Sequence, residues 1–332
     1  VEKYCGIADL NLVDSRMKYM HDFYVKMYAK FIVNFPLNMK MIQKQSLHEI
    51  NNESPADYRY NGICDKDGFL PKNYENVKYD TPLLSRDLCL LENKILGLLN
   101  GKLKADVCVS LSGGVDSMVL LYILMKLKDK LTVGVSAFHI SYNNRDESKH
   151  ELDLIQTFCE KLNVCLYHYN IEFIKRGFIK RGKYEQITRS IRYACYRQLE
   201  CDIILGHIRE DKIENIITNL STNQHTFNLA KMHMFDNLDK VSIVRPFIDI
   251  DKMEIFEYSH LNMIPHLNNS TPHWSNRGKF RSNFMPAYKE QFGETGIDHI
   301  EIFAESLQNL GSLSPRKKLF MSEKQLNLLI ML

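Results

Sequence analysis

The residues Ser112 to Ser117, SGGVDS, follow the apolar run VCVSL and lead directly into MVLLYILM. Gly113 and Gly114 let backbone amides approach an anion. Ser112 and Ser117 add hydroxyl donors, and the following helix, which begins around Val115, contributes the positive end of its dipole. Such a nest suits a phosphate chain. The lysine that a Walker-type phosphate loop carries after its glycines is missing, however, and Val115, Asp116 and Ser117 stand there instead. Asp116 repels a bare phosphate, so its presence implies a divalent ion, Mg2+, between carboxylate and phosphates. The loop is therefore suited to holding pyrophosphate as it leaves, with reaction at the α-phosphate.

Other residues carry chemistry by spacing. Asp211 and Glu214 lie one helical turn apart, so their carboxylates share a face that can hold an amine; a solvated acidic helix start is the plainer alternative. Arg189 and Arg192 share a face in the same way, either for a ligand or as a surface stripe of ion pairs. His207 directly follows a strand end, a position that favours function over core packing. The repeated FIKRG at 173 to 182 gathers Lys175, Arg176, Lys180, Arg181 and Lys183 around Phe173 and Phe178. Basic and aromatic residues mixed in this way suit RNA phosphate and an unstacked base, or else form a solvated loop. Arg277 and Arg281, near Trp274, form a second candidate RNA contact.

The elements that must position these residues alternate. From Arg86 onward, helices are predicted at 88–99, 117–127, 151–162, 184–200, 211–220 and 252–261, with strands at 107–111, 131–140, 164–169 and 202–205 and a further strand-like run at 241–247. This pattern predicts an α/β fold with a doubly wound parallel sheet. Ligands then bind at the carboxyl ends of the strands, where Ser112, His139 and His207 fall. Residues 86–290 form the expected catalytic domain, 1–85 an extension of unknown role, and 291–332 a helical C-terminal region. Within the extension, a helical apolar stripe runs from Asp14 to Phe35. DKDGF at 65–69 resembles the start of a calcium loop, but position 12 of such a loop is Asn76, which argues against calcium.

The composition of the 332 residues is that of a water-soluble globular chain, with 45% hydrophobic and 25% charged residues and a net charge of +3. No global field marks a nucleic-acid binder, so any RNA surface must be local. Apolar runs are too short for a membrane span. The eight cysteines contain no C-x-x-C pair, which predicts buried free thiols in a reducing, cytoplasmic setting rather than a metal or disulfide framework, and no secretory pattern is expected at the start.

S-G-G-x-D-S after a buried strand resembles the signature of the PP-loop, or N-type ATP pyrophosphatase, superfamily. Within it the chain is most similar to the tRNA(Ile)-lysidine synthase family over roughly residues 105 to 290. EQITRSIRY at 185–193 resembles that family's E-x-x-x-R-x-x-R-Y helix, GHIREDKIEN at 206–215 its G-H-x-x-D-D-x-x-E-T segment, and RPF at 245–247 its R-P-L. Arg277, Arg281 and Pro286 match its R-N-x-x-R…P run. The resemblance implies nucleotide binding by Ser112, Gly113, Gly114, Val115, Asp116, Ser117 and His139, with Mg2+ on Asp116. It also implies ATP contacts from Arg189 and Arg192 and recognition of free lysine by Asp211 and Glu214. Glu210, Lys212 and Asn215 depart from the family's aspartate, glutamine and threonine, and HISYNNR at 139–145 keeps only His139 and Arg145 of its pattern. Lys212 raises a specific question, because an ammonium folded between Asp211 and Glu214 would satisfy the lysine site from within. No counterpart of residues 1–85, nor of the larger C-terminal tRNA-binding domains of many members, is recognised.

The expected activity is ATP-dependent ligation on a tRNA. The wobble cytidine's C2 oxygen is adenylated with release of pyrophosphate, then lysine displaces AMP, with His207 beside the reacting groups. The alternatives are tRNA thiolation on the same fold, or a divergent non-catalytic member that binds nucleotide or RNA or serves as a structural component of an assembly. The extension offers a surface for a second copy or an assembly partner.

Overall fold

The computed structural model describes residues 39–42, 68–69, 88–143, 148–172, 174, 180–222, 229–267 and 276–312. The helix expected at 14–35, most of the DKDGF segment, Arg145, Trp274 and the centre of the basic loop, including Lys175 and Arg176, lie outside them. In chain order the elements are β1 (Lys40–Ile42), β2 (Gly68–Phe69), α1 (Leu90–Leu99), β3 (Asp106–Leu111), α2 (Val115–Leu131), β4 (Gly134–Ser141), α3 (Ser148–Lys161), β5 (Cys165–Asn170), α4 (Arg181–Leu199), β6 (Asp202–Leu205) and α5 (Arg209–Ser221). There follow β7 (Phe235–Leu238), β8 (Val241–Val244), α6 (Lys252–Leu261), β9 (His266–Leu267), the single turn α7 (Asn276–Lys279), a π-helical turn (Phe280–Phe284) and α8 (Met285–Ser312).

Seven strands form one sheet in the order β1-β5-β4-β3-β6-β8-β7. The five inner strands are parallel, as their near-continuous apolar character predicts. Both edges are antiparallel: β1 pairs with β5, and β7 with β8. The β7–β8 hairpin turns through Asp239 and Lys240, both at positive φ (52° and 65°). A two-residue turn of that kind matches strand twist, but Asp-Lys lacks the glycine that would announce it, and the sequence reading missed β7. β2 and β9 form a separate antiparallel pair.

Helices cover both faces. On one side α1, α2, α3 and α6 pack around a core in which Met118, Leu120, Leu121, Ile123, Leu124 and Leu127 of α2 are fully buried. A helix apolar on every side belongs inside the protein rather than on its surface. On the other face Tyr184, Ile187, Ile191 and Cys195 of α4 pack on Phe138 and Ile203. A buried Glu92 in α1 takes the Lys126 ammonium of α2 at 2.5 Å and the Tyr258 hydroxyl of α6. Burial alone would raise the Glu92 pKa, but Lys126, Tyr258 and the Cys89 amide outweigh it and hold the carboxyl below its usual range. Removing one partner would strand a buried charge, so this contact fixes how the three helices meet.

A third apolar cluster joins α5 to α8 through Ile213, Ile216, Met285, Ile297, Ala304 and Leu307. The helical C-terminal region expected from 291 thus begins earlier, at Met285, and bends at Gly293, whose φ of 70° and ψ of 179° interrupt the helical path. Among the described residues no helix is long and apolar enough to cross a membrane.

Candidate active site

The loop after β3 is held by its own hydroxyls. Ser117 Oγ donates to Gly114 O at 3.0 Å and accepts the Ser112 amide at 3.2 Å, while Ser112 Oγ lies 3.3 Å from Ser117 Oγ and 3.4 Å from the Gly114 amide nitrogen. Gly113 sits at φ +77°, a conformation that a side chain would strain, and its carbonyl accepts the Leu267 amide at 2.8 Å. Gly206, at the end of β6, presses on the first turn of α2: a Cβ there would lie 3.0 Å from Asp116 C and Ser117 N. The end of β6 and the glycine loop therefore form one wall, with Val115 buried beneath it.

Asp116 does not stand alone. Both its carboxylate oxygens take the ammonium of Lys252, at 2.6 and 2.7 Å, from the first position of α6. Burial nonetheless pushes the Asp116 carboxyl above its usual range, with Lys252 opposing. Beside it, Glu210 Oε1 accepts the Lys252 amide at 3.3 Å, whereas Oε2 is buried without a hydrogen-bond partner among the described residues. Burial raises the Glu210 pKa as well. Among the described residues no group of three or more His, Cys, Asp or Glu could hold a metal. One carboxylate beside an anion cradle instead fits Mg2+, which is commonly held by one or two carboxylates together with substrate phosphates and water.

Asp211 and Glu214 do share a face of α5, and the same two side chains hold both. Asp211 accepts the Ile208 amide at 3.1 Å, a guanidinium nitrogen of Arg281 at 2.6 Å and one of Arg277. Glu214 pairs with Arg277 at 2.9 Å and Arg281 at 3.3 Å. Burial works against the Asp211 charge, but Arg277, His207 and Arg281 prevail and keep its pKa low. Lys212 points away, to Glu301 and Glu305 on α8 (2.6 Å each) and Asp249 (3.3 Å), while Arg209 reaches Asp298 and Glu301. The built-in cation of the clasp is thus arginine rather than Lys212.

His207 follows Gly206 at the end of β6. Its Nδ1 accepts from Arg245 Nε at 3.2 Å, and Arg245 is buried against Asp236 and the His233 carbonyl. Burial first, with the charges of Arg245, Arg277 and Arg192, pulls the His207 pKa down to about 4 against the pull of Asp211. The ring is neutral at pH 7. Burial disfavours the charge of Arg192, but Tyr142, Tyr196 and Tyr193 more than compensate and raise its pKa. Arg189 is exposed, its guanidinium 5.0 Å from the centre of the Tyr193 ring. His139 is buried, with Nδ1 2.9 Å from Leu111 O and Nε2 3.2 Å from Ser141 Oγ, so both ring nitrogens are engaged within the fold. Burial lowers its pKa too. Arg181 pairs with Glu185 at 2.8 Å, and Lys180 is exposed.

Residues 89–287 match the PP-loop domain family. The chain belongs to that family. Similar proteins include the bifunctional protein TilS/HprT of Listeria monocytogenes, 24% identical over 236 residues that make up 67% of this chain and 36% of that protein. The tRNA(Ile)-lysidine synthases of Thermotoga maritima (25% identical; 55% of this chain, 45% of that one) and Clostridium acetobutylicum (27%; 57% and 42%) are similar too. The chain thus spans less than half the length of these curated relatives. Among solved structures, the U34-tRNA thiolase NcsA of Methanococcus maripaludis shares the fold, with a TM-score of 0.55 and 16% identity over 68% of this chain and 80% of that one.

Two side chains that touch predicted site residues, Lys252 on Asp116 and Arg245 on His207, were not legible in the sequence. Lys252 carried no signal except its place at a helix start. Arg245 sat in a motif that was recognised, but nothing in the sequence tied it to His207.

Proposed function

We propose that this PP-loop protein is an ATP-dependent tRNA-modifying ligase that joins lysine to a wobble cytidine. The glycine loop cradles the triphosphate through Ser112, Gly113, Gly114, Val115 and Ser117; Asp116 would hold Mg2+, which would offset the charge of the phosphates. The cytidine C2 oxygen attacks the α-phosphate, the bond to pyrophosphate breaks, and an adenylated base remains. The ε-amine of lysine then attacks C2 and AMP departs with its oxygen. Arg189 and Arg192 contact the nucleotide, buried His139 braces the end of β3 through Leu111, and the uncharged His207 ring serves as a polar neighbour of the reacting groups. Positioning and charge stabilisation at phosphorus supply the rate enhancement. A cytoplasmic place accords with a tRNA substrate.

The observation that carries this reading is the acid pair on α5. Asp211 and Glu214 already hold two cationic side chains at the strand end that abuts the glycine loop. Free lysine must compete with Arg277 and Arg281, whose side chains are 50% and 42% exposed. That self-occupancy also favours a second reading, a member that binds nucleotide and RNA without joining an amino acid. Mass spectrometry of nucleosides from tRNA incubated with the protein, ATP and lysine decides between them. Ligation gives a cytidine heavier by lysine less water, with pyrophosphate and AMP released in equal amounts. Sulfur in the product points to thiolation. ATP binding without pyrophosphate release leaves the non-catalytic reading.

A further inference from the structure

The loop after β3 has lost the lysine of a Walker-type sequence, yet the structure brings an ammonium to the same place. Lys252 Nζ contacts both oxygens of Asp116, two residues beyond Gly114 at the start of α2. A structural ion pair is a poor account of it. The two side chains keep 29% and 23% of their surface exposed, so the pair is not sealed in the core and its ammonium can be exchanged. Helix α6 is already anchored by fully buried Ile255 and by Tyr258, which packs against Tyr122 and donates to Glu92. Lys252 also breaks a local rule. It occupies the first helical position of α6, where the positive end of the helix disfavours a cation. Departures of this kind from local electrostatics are expected at functional sites.

The surroundings suit a cation that changes partner. The Lys252 backbone is fixed by its amide on Glu210 Oε1, while the stem carries Nζ past the Phe256 ring, 5.1 Å from its centre. A lysine ammonium is a compact charge on a flexible stem, able to swing between neighbouring anions. We infer that Lys252 is the phosphate-binding cation of this loop, held on Asp116 in the empty protein and transferred to the β- and γ-phosphates when a nucleoside triphosphate binds. This rests on the proposed nucleotide site and adds to it a residue that comes from outside the loop.

The test is calorimetry of ATP and of AMP, each with Mg2+, on the full chain and on Lys252→Met and Lys252→Arg. Losing one charge-assisted contact should weaken ATP binding about tenfold or more in Lys252→Met. AMP, which has no β- or γ-phosphate, should bind as to wild type, and Lys252→Arg should recover most of the ATP affinity. Acylation of wild-type Lys252 by a soluble reagent, followed by mass spectrometry, gives a readout independent of any variant's folding: ATP should protect the amine and AMP should not. Unchanged ATP affinity in a folded Lys252→Met, equal losses for ATP and AMP, or no ATP-specific protection would each overturn the assignment. A wild type that binds ATP under those results keeps the nucleotide site and loses only Lys252. A wild type that binds neither nucleotide overturns both.

Discussion

Two acidic groups of the candidate site, Asp116 and the pair Asp211–Glu214, are each filled by cations from elsewhere in the chain. At the glycine loop, Asp116 takes one lysine ammonium. On α5, Asp211 and Glu214 take two arginine guanidinium groups in a four-way network. The difference lies in how readily each can be vacated. A single ammonium on a flexible stem leaves without dismantling anything, whereas two planar forks fit the carboxylates with fixed geometry and must leave together. Asp116 is freed when one ammonium leaves, whereas the acid pair stays filled until both arginines leave, and Arg281 sits on the π-turn. π-turns are uncommon and cluster at functional positions, which accords with a segment whose register can shift.

The largest effect should come from the simpler centre. Asp116→Asn should abolish pyrophosphate release while the protein stays folded. The amide keeps the shape but supplies no charge for Mg2+, and Lys252 is left without its counter-ion. A melting temperature within about 2 °C of wild type would show that the fold survives. Normal turnover by that variant would remove the loop's role altogether.

The arginine-filled centre should respond in both directions. Glu214→Gln weakens one charge-assisted contact to any amine and should raise the lysine needed for half-saturation about tenfold, with ATP binding unchanged. Arg281→Gln removes a competitor and should lower that requirement. Lys212→Gln should leave lysine binding alone, because Lys212 faces Glu301 and Glu305, and should instead lower the melting temperature as the α5–α8 contact weakens. Calorimetry with an ATP analogue present reads all three. An Arg281→Gln protein that binds no lysine would favour the non-catalytic reading.

How much of this was legible in the sequence depended on distance along the chain. The alternation of apolar helices and strands announced the inner strands and their parallel direction, and SGGVDS located the loop, because both signals are local. The pair Asp211–Glu214 was legible for the same reason, since three residues span one turn. Its occupants were not. Arg277 and Arg281 lie 66 and 70 residues from Asp211, and Lys252 lies 136 from Asp116. No periodicity reports such pairings. The sequence reading could pose the question of Lys212 but not settle it, because the partners that draw it away sit on α8.

A smaller effect concerns His207. Its folded pKa of about 4 lies below the ordinary histidine value, so between those two pH values the unfolded chain binds more protons than the folded one. Stability should therefore fall as pH drops from about 6.5 towards 4, and be unaffected by this group at higher pH. His207→Gln should make the melting temperature less steep across that window. An identical pH profile in both proteins would mean that the ring is not held neutral by its burial beside Arg245.

The smallest effect should come from the basic segment before and within the start of α4. Lys175, Arg176, Lys180, Arg181 and Lys183 are expected to touch RNA phosphates, a contact of position rather than of sequence. Of these, Arg181 already spends part of its charge on Glu185 and Lys183 lies 3.3 Å from Gln186, so the five should not contribute equally. Neutralising all five should weaken tRNA binding at low salt, and each lost phosphate contact should flatten the plot of log affinity against log salt by roughly 0.7 to 0.9. Restoring Arg181 alone should recover less than restoring Lys180, which is exposed. ATP affinity should not change, since the segment is separate from the glycine loop. Filter binding across a salt series reads the slope, and an unchanged slope would make these charges a solvated surface and leave RNA contact to Arg277 and Arg281. Those two arginines would then have to leave the acid pair as RNA arrives, so Asp211→Asn should raise RNA affinity by loosening them while weakening lysine binding, because it removes one of the two carboxylates.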